Sequence, residues 1–289
     1  MRQSCPAKIN LHLRIAPADG SGFHPLLSWM CTIGLFDTLT IQRSTSGQIV
    51  FQCDDPSLPG DSTNLAVRAA LAIQREMGEP KPGVELRLEK RIPIGGGLGG
   101  GSSDAAHVLL TLNQLWDLHW PIERLAGIAA RLGSDVPFFV HGSSSVCTGR
   151  GEIVRPTLRP RPRWVVLILP GFATSTPAVY RKFDELRLGD RSSIENEPSW
   201  QQWAELSAGP LLSRLINDLE TPAFALCPQL ATLRANIEQL LGRVVRMSGS
   251  GSSLFTLYDS PAEARSAVDK IVDRCSVRVV AVESAPNWE

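Results

Sequence analysis

Residues 92–106 read Ile92-Pro93-Ile94-Gly95-Gly96-Gly97-Leu98-Gly99-Gly100-Gly101-Ser102-Ser103-Asp104-Ala105-Ala106. Six of the seven positions from 95 to 101 are glycine. Glycine loses more backbone entropy on folding than any other residue, so a run this dense implies left-handed backbone or close approach of another group. Before it, Val84, Leu86 and Leu88 alternate with polar residues and predict a strand. After it, Ala105, Val108, Leu109, Leu112 and Leu115 recur at helical spacing and predict a helix over 104–116. Unpaired N–H groups at that helix start, together with the helix dipole, make a cradle for phosphate. An ordinary connection capped by Ser103 or Asp104 accounts for two or three glycines, but not for six.

Two known phosphate loops fit poorly. Gly95-x-Gly97-x-x-Gly100 matches the dinucleotide fingerprint in letters, yet that motif needs an acidic residue ending the next strand, and a long helix follows here. A Walker A loop ends in Gly-Lys-Ser/Thr, whereas Gly100-Gly101-Ser102 has no lysine.

Outward from the loop, Ile9, Leu11, Leu13 and Ile15 alternate with Lys8, Asn10, His12 and Arg14. This pattern predicts a half-buried strand with Lys8, Asn10 and His12 on the face opposite the core. Strands are predicted near 33–41 and 49–53, and helices over 64–77, closed by Gly78, and 121–132, closed by Gly133. Arg155 to Arg163 is dense in Pro and Arg without apolar period, and the domain junction is placed there, giving domains 1–155 and 156–289. Beyond it, strands are predicted at 164–169, 243–247, 253–258 and 277–282, with helices at 211–216, 227–241 and 261–273. Residues 188–202 are polar and read as a loop. Strands alternating with helices in a half of this size suggest an α+β sandwich.

The 289 residues are 43% hydrophobic and 20% charged, a globular composition that excludes collagen, low-complexity disorder and a disulfide miniprotein. Twenty-nine Lys and Arg balance 29 Asp and Glu, so the basic excess of a nucleic-acid or membrane-surface binder is absent. Small anionic ligands need only local positive charge. Six scattered cysteines contain no C-x-x-C pair, and the N-terminus has no signal-peptide apolar core. A cytoplasmic protein is the expectation. His12, His107, His119 and His141 show no metal-ligand spacing.

The chain resembles the GHMP kinases. The second motif of that superfamily is a glycine/serine loop of the 93–106 kind, the first corresponds to Pro6-Ala7-Lys8-Ile9-Asn10-Leu11, and the third to Met247-Ser248-Gly249-Ser250-Gly251-Ser252-Ser253. Gly133-Ser134-Asp135-Val136-Pro137-Phe138-Phe139, Gly149-Arg150-Gly151-Glu152 and Asn217-Asp218-Leu219-Glu220 narrow the resemblance to a branch whose acceptor is a cytidine-diphosphate-linked alcohol. It implies a two-domain α+β fold, with an N-terminal ribosomal-protein-S5-like α/β domain and a C-terminal ferredoxin-like α/β sandwich. It also implies ATP as co-substrate, with Mg²⁺ carried on its phosphates. The chain departs from the branch at Phe23, commonly Tyr, and at Ser134, commonly Ala. Phe23 keeps a stacking ring and loses a hydroxyl.

On spacing alone, Asp135 reads as a turn aspartate and Lys8 as a solvated strand charge. The resemblance makes Asp135 the catalytic aspartate and Lys8 its neighbour, which holds the substrate hydroxyl or a transferring phosphoryl oxygen. It assigns ATP to Pro93, Ile94, Gly95, Gly96, Gly97, Leu98, Gly99, Gly100, Gly101, Ser102 and Ser103, with Asn64 and Lys90 lining the nucleotide pocket. Asn64 reads equally as an N-cap and Lys90 as a strand-end lysine. It assigns the substrate to Asn10, Phe23 and His24, with Tyr180 as a second stacking ring or a core aromatic, and to Gly249 and Gly251 in a loop that otherwise reads as a hairpin. Two other readings stay open: a homoserine- or mevalonate-type kinase of the same superfamily, and a non-catalytic nucleotide-binding sensor.

Overall fold

The computed structural model describes residues 1–78 and 82–286. Strands β1 (Arg2–Ile15) and β2 (Leu26–Ser44) pair antiparallel along their length, and β3 (Ile49–Cys53) follows. Helix α1 (Leu65–Met77) begins where Asn64 Oδ1 accepts from the Ala66 amide at 2.9 Å and ends at Gly78 with φ +82°. Strand β4 (Gly83–Glu89) runs parallel to β3 and leads into the glycine loop, then α2 (Gly100–Leu115), α3 (Ile122–Leu132), α4 (Val136–His141), β5 (Ser144–Thr148) and β6 (Ile153–Pro156). The first sheet has the order β3-β4-β2-β5-β6, with β1 on β2.

After the Pro/Arg-rich stretch come β7 (Trp164–Leu169), α5 (Thr176–Glu185), the short α6 (Ser192–Glu195), α7 (Trp200–Glu205), α8 (Ala208–Leu212) and α9 (Glu220–Leu226). The chain ends in α10 (Pro228–Leu241), β8 (Arg246–Met247), β9 (Leu254–Tyr258), α11 (Pro261–Val272) and β10 (Arg278–Glu283), with a second sheet ordered β10-β7-β9-β8. No helix among the described residues is long and apolar enough to cross a membrane.

Alternation along β7 and β9 separates two apolar layers. Val166, Ile168 and Leu254 pack against α5, α10 and α11, while Val165, Leu167 and Phe255 face Ala7, Ile9, Trp29 and Ile33 of the first sheet. The other face of the first sheet is covered by α1 to α4. The two sheets thus share a core, and β1 is buried on both faces.

That burial corrects the reading of β1. Asn10 pairs with Met30 and His12 with Trp29, so Leu11 is the extra residue of a β-bulge. The bulge shifts the alternation by one and turns His12 to the opposite face from Lys8 and Asn10. His12 lies edge-on to Trp200 and Trp203, with ring centroids at 5.8 and 5.3 Å. The 188–202 stretch is also corrected: it holds α6 and the start of α7, and Trp200 anchors it in the shared core. Helices α4, α5 and α9 and strands β5 and β6 went unread, being short or lacking a clear period. The strand expected at 243–247 contracts to two residues, and the helix expected at 211–216 lies instead at 208–212.

Nδ1 of His12 accepts from the Ile216 amide at 3.2 Å, which requires an unprotonated nitrogen. Burial, helped by the charges of Arg14 and Arg246, lowers its pKa from 6.5 to about 4. The folded-state value lies below the ordinary one, so this contribution is complete above pH 6.5 and is lost as pH falls toward 4. We expect on the order of 3 kcal/mol of stability to disappear across that window. Urea unfolding at pH 7 and pH 4.5 should show His12→Asn, which keeps an acceptor without the titration, losing clearly less than the wild type.

Candidate active site

The glycine loop is held by its carbonyls. Leu98 O accepts from the Lys8 amide at 2.9 Å, Gly96 O from the Ser253 amide at 3.1 Å, and Gly97 O from Ser248 Oγ at 2.9 Å. Ser248 Oγ also accepts from the Asn10 amide at 3.2 Å, so one hydroxyl joins β1, the loop and the 248–253 turn. The first main-chain bond of α2 runs from Ser103 N to Gly99 O, and no side chain caps this end. The amides of Gly100, Gly101 and Ser102 therefore have no intrahelical acceptor and are available to an anion at the positive end of a 16-residue helix.

Close approach explains the glycines. A Cβ on Gly97, at φ +76°, would lie 2.2 Å from Ser248 O. One on Gly99, at φ +69°, would lie 3.0 Å from the Phe139 ring and 3.1 Å from Lys8 Cγ. Two cavities meet here. The first, about 340 Å³, is lined by residues 93–102 together with Asn64, Lys90 and Asp104. The second, about 690 Å³, runs from Lys8, Asn10 and Asp135 to Phe23, His24 and Tyr180. Gly97, Gly99 and Ser102 belong to both.

At the junction, Lys8 Nζ stands 3.3 Å from Asp135 Oδ2 and donates to Asn10 Oδ1 at 2.5 Å. Asn10 Nδ2 donates in turn to Ser28 Oγ at 2.8 Å, which fixes the amide and leaves one ammonium proton of Lys8 unassigned. Lys8 is buried, whereas Asp135, at the start of α4, has a side chain 32% exposed and open to the cavity. Asn217 Nδ2 donates to Met247 O and Gly249 O, both at 2.8 Å, and thereby shapes the third glycine turn.

Lys90 lines the first cavity with its charge already engaged. Its ammonium contacts Asp37 and, at 3.0 Å, Asp104. Burial opposes its charge, but the two carboxylates outweigh burial and raise its pKa. Burial also raises the Asp104 carboxyl, against the pull of Lys90. Asp37 Oδ1 accepts from the amides of Arg91 and Ile92 at 2.6 and 2.9 Å, so the triad fastens the chain leading into the loop to the first turn of α2. Asn64 lines the same cavity while its side chain caps α1.

Two expected residues lie elsewhere. Ser103 is fully buried in the first turn of α2 and does not line the cavity. Gly251 is not among the residues lining the second cavity; it belongs to the turn, where a Cβ would meet Met247 Sδ at 2.7 Å. Sequence reading missed Arg150, whose guanidinium sits 4.5 Å over the Phe23 ring, and Asp184, whose Oδ1 lies 2.7 Å from His24 Nε2. Both line the second cavity. Arg150 lay within a quoted motif; nothing in the sequence around Asp184 marked it.

Comparison with known proteins identifies the family. Residues 64–143 match the GHMP kinases N-terminal domain and residues 196–277 the GHMP kinases C-terminal domain. The chain is 39% identical to the 4-diphosphocytidyl-2-C-methyl-D-erythritol kinase of Synechococcus sp. (strain CC9605), over 93% of this chain and 91% of that protein. It is 41% identical to the enzyme of that name from Methylacidiphilum infernorum (isolate V4), over 88% and 84%. A crystal structure of 4-(cytidine 5'-diphospho)-2C-methyl-D-erythritol kinase superposes with a TM-score of 0.80 at 35% identity, covering 99% of this chain and 100% of that one. A mevalonate kinase structure, at 12% identity and a TM-score of 0.74, shares the fold.

The loop geometry predicts different stability for two neighbouring substitutions. Gly97→Ala combines left-handed backbone with a main-chain collision and should destabilise by about 3 kcal/mol or more. Gly101→Ala, whose Cβ would meet only Leu65 Cδ1 at 3.8 Å, should leave stability unchanged or raise it by up to about 1 kcal/mol. Thermal unfolding of the two variants without nucleotide checks the contrast.

Proposed function

The chain belongs to the GHMP kinases, among the 4-diphosphocytidyl-2-C-methyl-D-erythritol kinases, and we propose that its cleft carries out their reaction as follows. ATP phosphorylates the 2-hydroxyl of 4-diphosphocytidyl-2-C-methyl-D-erythritol, a step of the non-mevalonate route to isoprenoid precursors, and ADP leaves. The observation that carries this reading is the Lys8–Asp135 pair at the point where the two cavities join.

The unpaired amides of α2 receive the phosphates of ATP in the first cavity and aim its terminal phosphorus across Gly97 and Gly99. The acceptor alcohol lies in the second cavity with its hydroxyl against Asp135. Asp135 accepts the hydroxyl proton as the oxygen bonds to phosphorus, and the remaining proton of Lys8 binds a phosphoryl oxygen. An aspartate carboxylate is ordinarily a weak base, so alignment and charge stabilisation, with the Lys8 ammonium 3.3 Å away, supply most of the acceleration. Asn10 holds Lys8 in place, and the cytosine enters between Phe23 and Tyr180, with Gly249 bordering the chain of the substrate.

Mg²⁺ carried on the ATP phosphates would supply neutralisation of the charge that develops during transfer. Asp104 lines the first cavity, but Lys90 holds its Oδ2 and its Oδ1 is shut off from solvent, as is Ser103 Oγ, so the ATP phosphates rather than these side chains would carry the ion. We place the division between the two halves at residues 155–156, and the reaction in the cytoplasm, which suits six free cysteines.

Asp135→Asn should lower kcat by about 10³-fold or more while changing the Kd for ATP less than about threefold. Full activity in that variant removes Asp135 from the mechanism. An ADP-release assay across the cytidine diphosphate alcohol, homoserine and mevalonate should show turnover with the first alone.

A further inference from the structure

At the end of the second cavity away from Lys8, His24 is gripped by one face of α5. Its ring lies 5.0 Å from the Tyr180 ring and 5.7 Å, edge-on at 89°, from the Phe183 ring. Asp184, on the same helix face, places Oδ1 2.7 Å from His24 Nε2. The His24 side chain is 8% exposed, so two rings and a carboxylate fix its orientation, while Nδ1 has no hydrogen-bond partner among the described residues.

A carboxylate is an acceptor only, so Nε2 carries the proton and donates it to Asp184. In the neutral ring Nδ1 is then an acceptor. A base seated beside this nitrogen must offer a donor. Cytosine presents its exocyclic amino group on that edge, whereas a uracil presents a carbonyl oxygen that would oppose the Nδ1 lone pair. We propose that Asp184 is a positioning residue that fixes the tautomer of His24 and thereby makes the cavity select a cytosine base over a uracil base. This inference rests on the reading of the second cavity as the cytidine site.

The consequence is specific to base identity. A site whose buried polar atom has the wrong sign for a ligand rejects it, while a site with a free tautomer turns the nitrogen to suit either base. Loss of the carboxylate should therefore weaken discrimination more than it weakens binding of either base.

The test compares wild type with Asp184→Ala on two ratios. One is kcat/KM for the cytidine diphosphate alcohol over its uridine counterpart, and the other is the inhibition constant of UDP over that of CDP. Wild type should favour cytosine by at least about tenfold, and the variant should lose about tenfold of that preference, through KM rather than kcat. An unchanged ratio overturns the inference, even if both ligands bind more weakly. Nitrogen-15 spectra of the full chain without ligand should show His24 protonated at Nε2 and bare at Nδ1; the opposite tautomer also overturns it. If wild type releases no ADP with the cytidine compound, the functional reading fails, while the CDP–UDP ratio and the tautomer still decide the role of Asp184.

Discussion

The contact between Gly97 and the carbonyl of Ser248 sets the geometry on which the site depends. No side chain can occupy position 97, because its first carbon would fall 2.2 Å from that oxygen. The same serine binds the Gly97 carbonyl and the Asn10 amide through its hydroxyl. The first sheet, the phosphate loop and the second sheet are thereby locked at one point. With the loop carbonyls taken by protein donors, the N-terminal amides of α2 are left for a ligand. A loop rich in glycine is entropically expensive, but here it is cross-braced from both halves of the chain, so it enters the binding equilibrium already ordered.

Charge is handled differently on the two sides of that loop. Behind it, Lys90 is surrounded by Asp37 and Asp104, and its ammonium serves as a strut between the loop entrance and α2. In front of it, Lys8 has a single carboxylate neighbour, a neutral amide and one proton to spare. Both lysines are buried. What separates them is the number of partners: a saturated ammonium holds structure, and an unsaturated one is free to meet charge that appears during reaction.

How much of this was legible in the sequence follows from the range over which each feature is encoded. The glycine run, the flanking strand and helix, the Asn64 cap and the Gly78 stop are local, and a local reading recovered them, except that α2 starts at Gly100 inside the run and not at 104. The Lys8–Asp135 pair joins residues 127 positions apart; spacing alone favoured bland roles for both, and the family motifs carried the pairing. The face of His12 was misread because a bulge is set by how β1 registers on β2, which alternation within β1 does not record. Residues 188–202 looked like a loop because their short helices have no period; hydrogen bonds from Ser192 to Asp190 and the packing of Ile194 and Trp200 on the shared core hold them. Lys90 shows the converse: it lines the expected cavity, yet its ammonium is spent on Asp37 and Asp104, partners that no linear motif names.

The division of the cleft also accounts for the pattern of similarity. The mevalonate kinase structure keeps the fold at 12% identity, so the fold tolerates nearly complete replacement of side chains. What the phosphate end requires is mostly backbone: amides, carbonyls, left-handed glycines and a helix start, which constrain few side chains. The far end is built from side chains, with Phe23 under Arg150 on one side and Tyr180, Phe183 and Asp184 of α5 around His24 on the other. These residues sit on the loop between β1 and β2, on the turn before β6, and on a helix packed against the outer layer of the second sheet. None of them contributes to the clasp at Gly97. Recognition of the acceptor can therefore change through loop and helix-face substitutions while the donor end keeps its geometry, because the two ends share only the three residues at which the cavities meet.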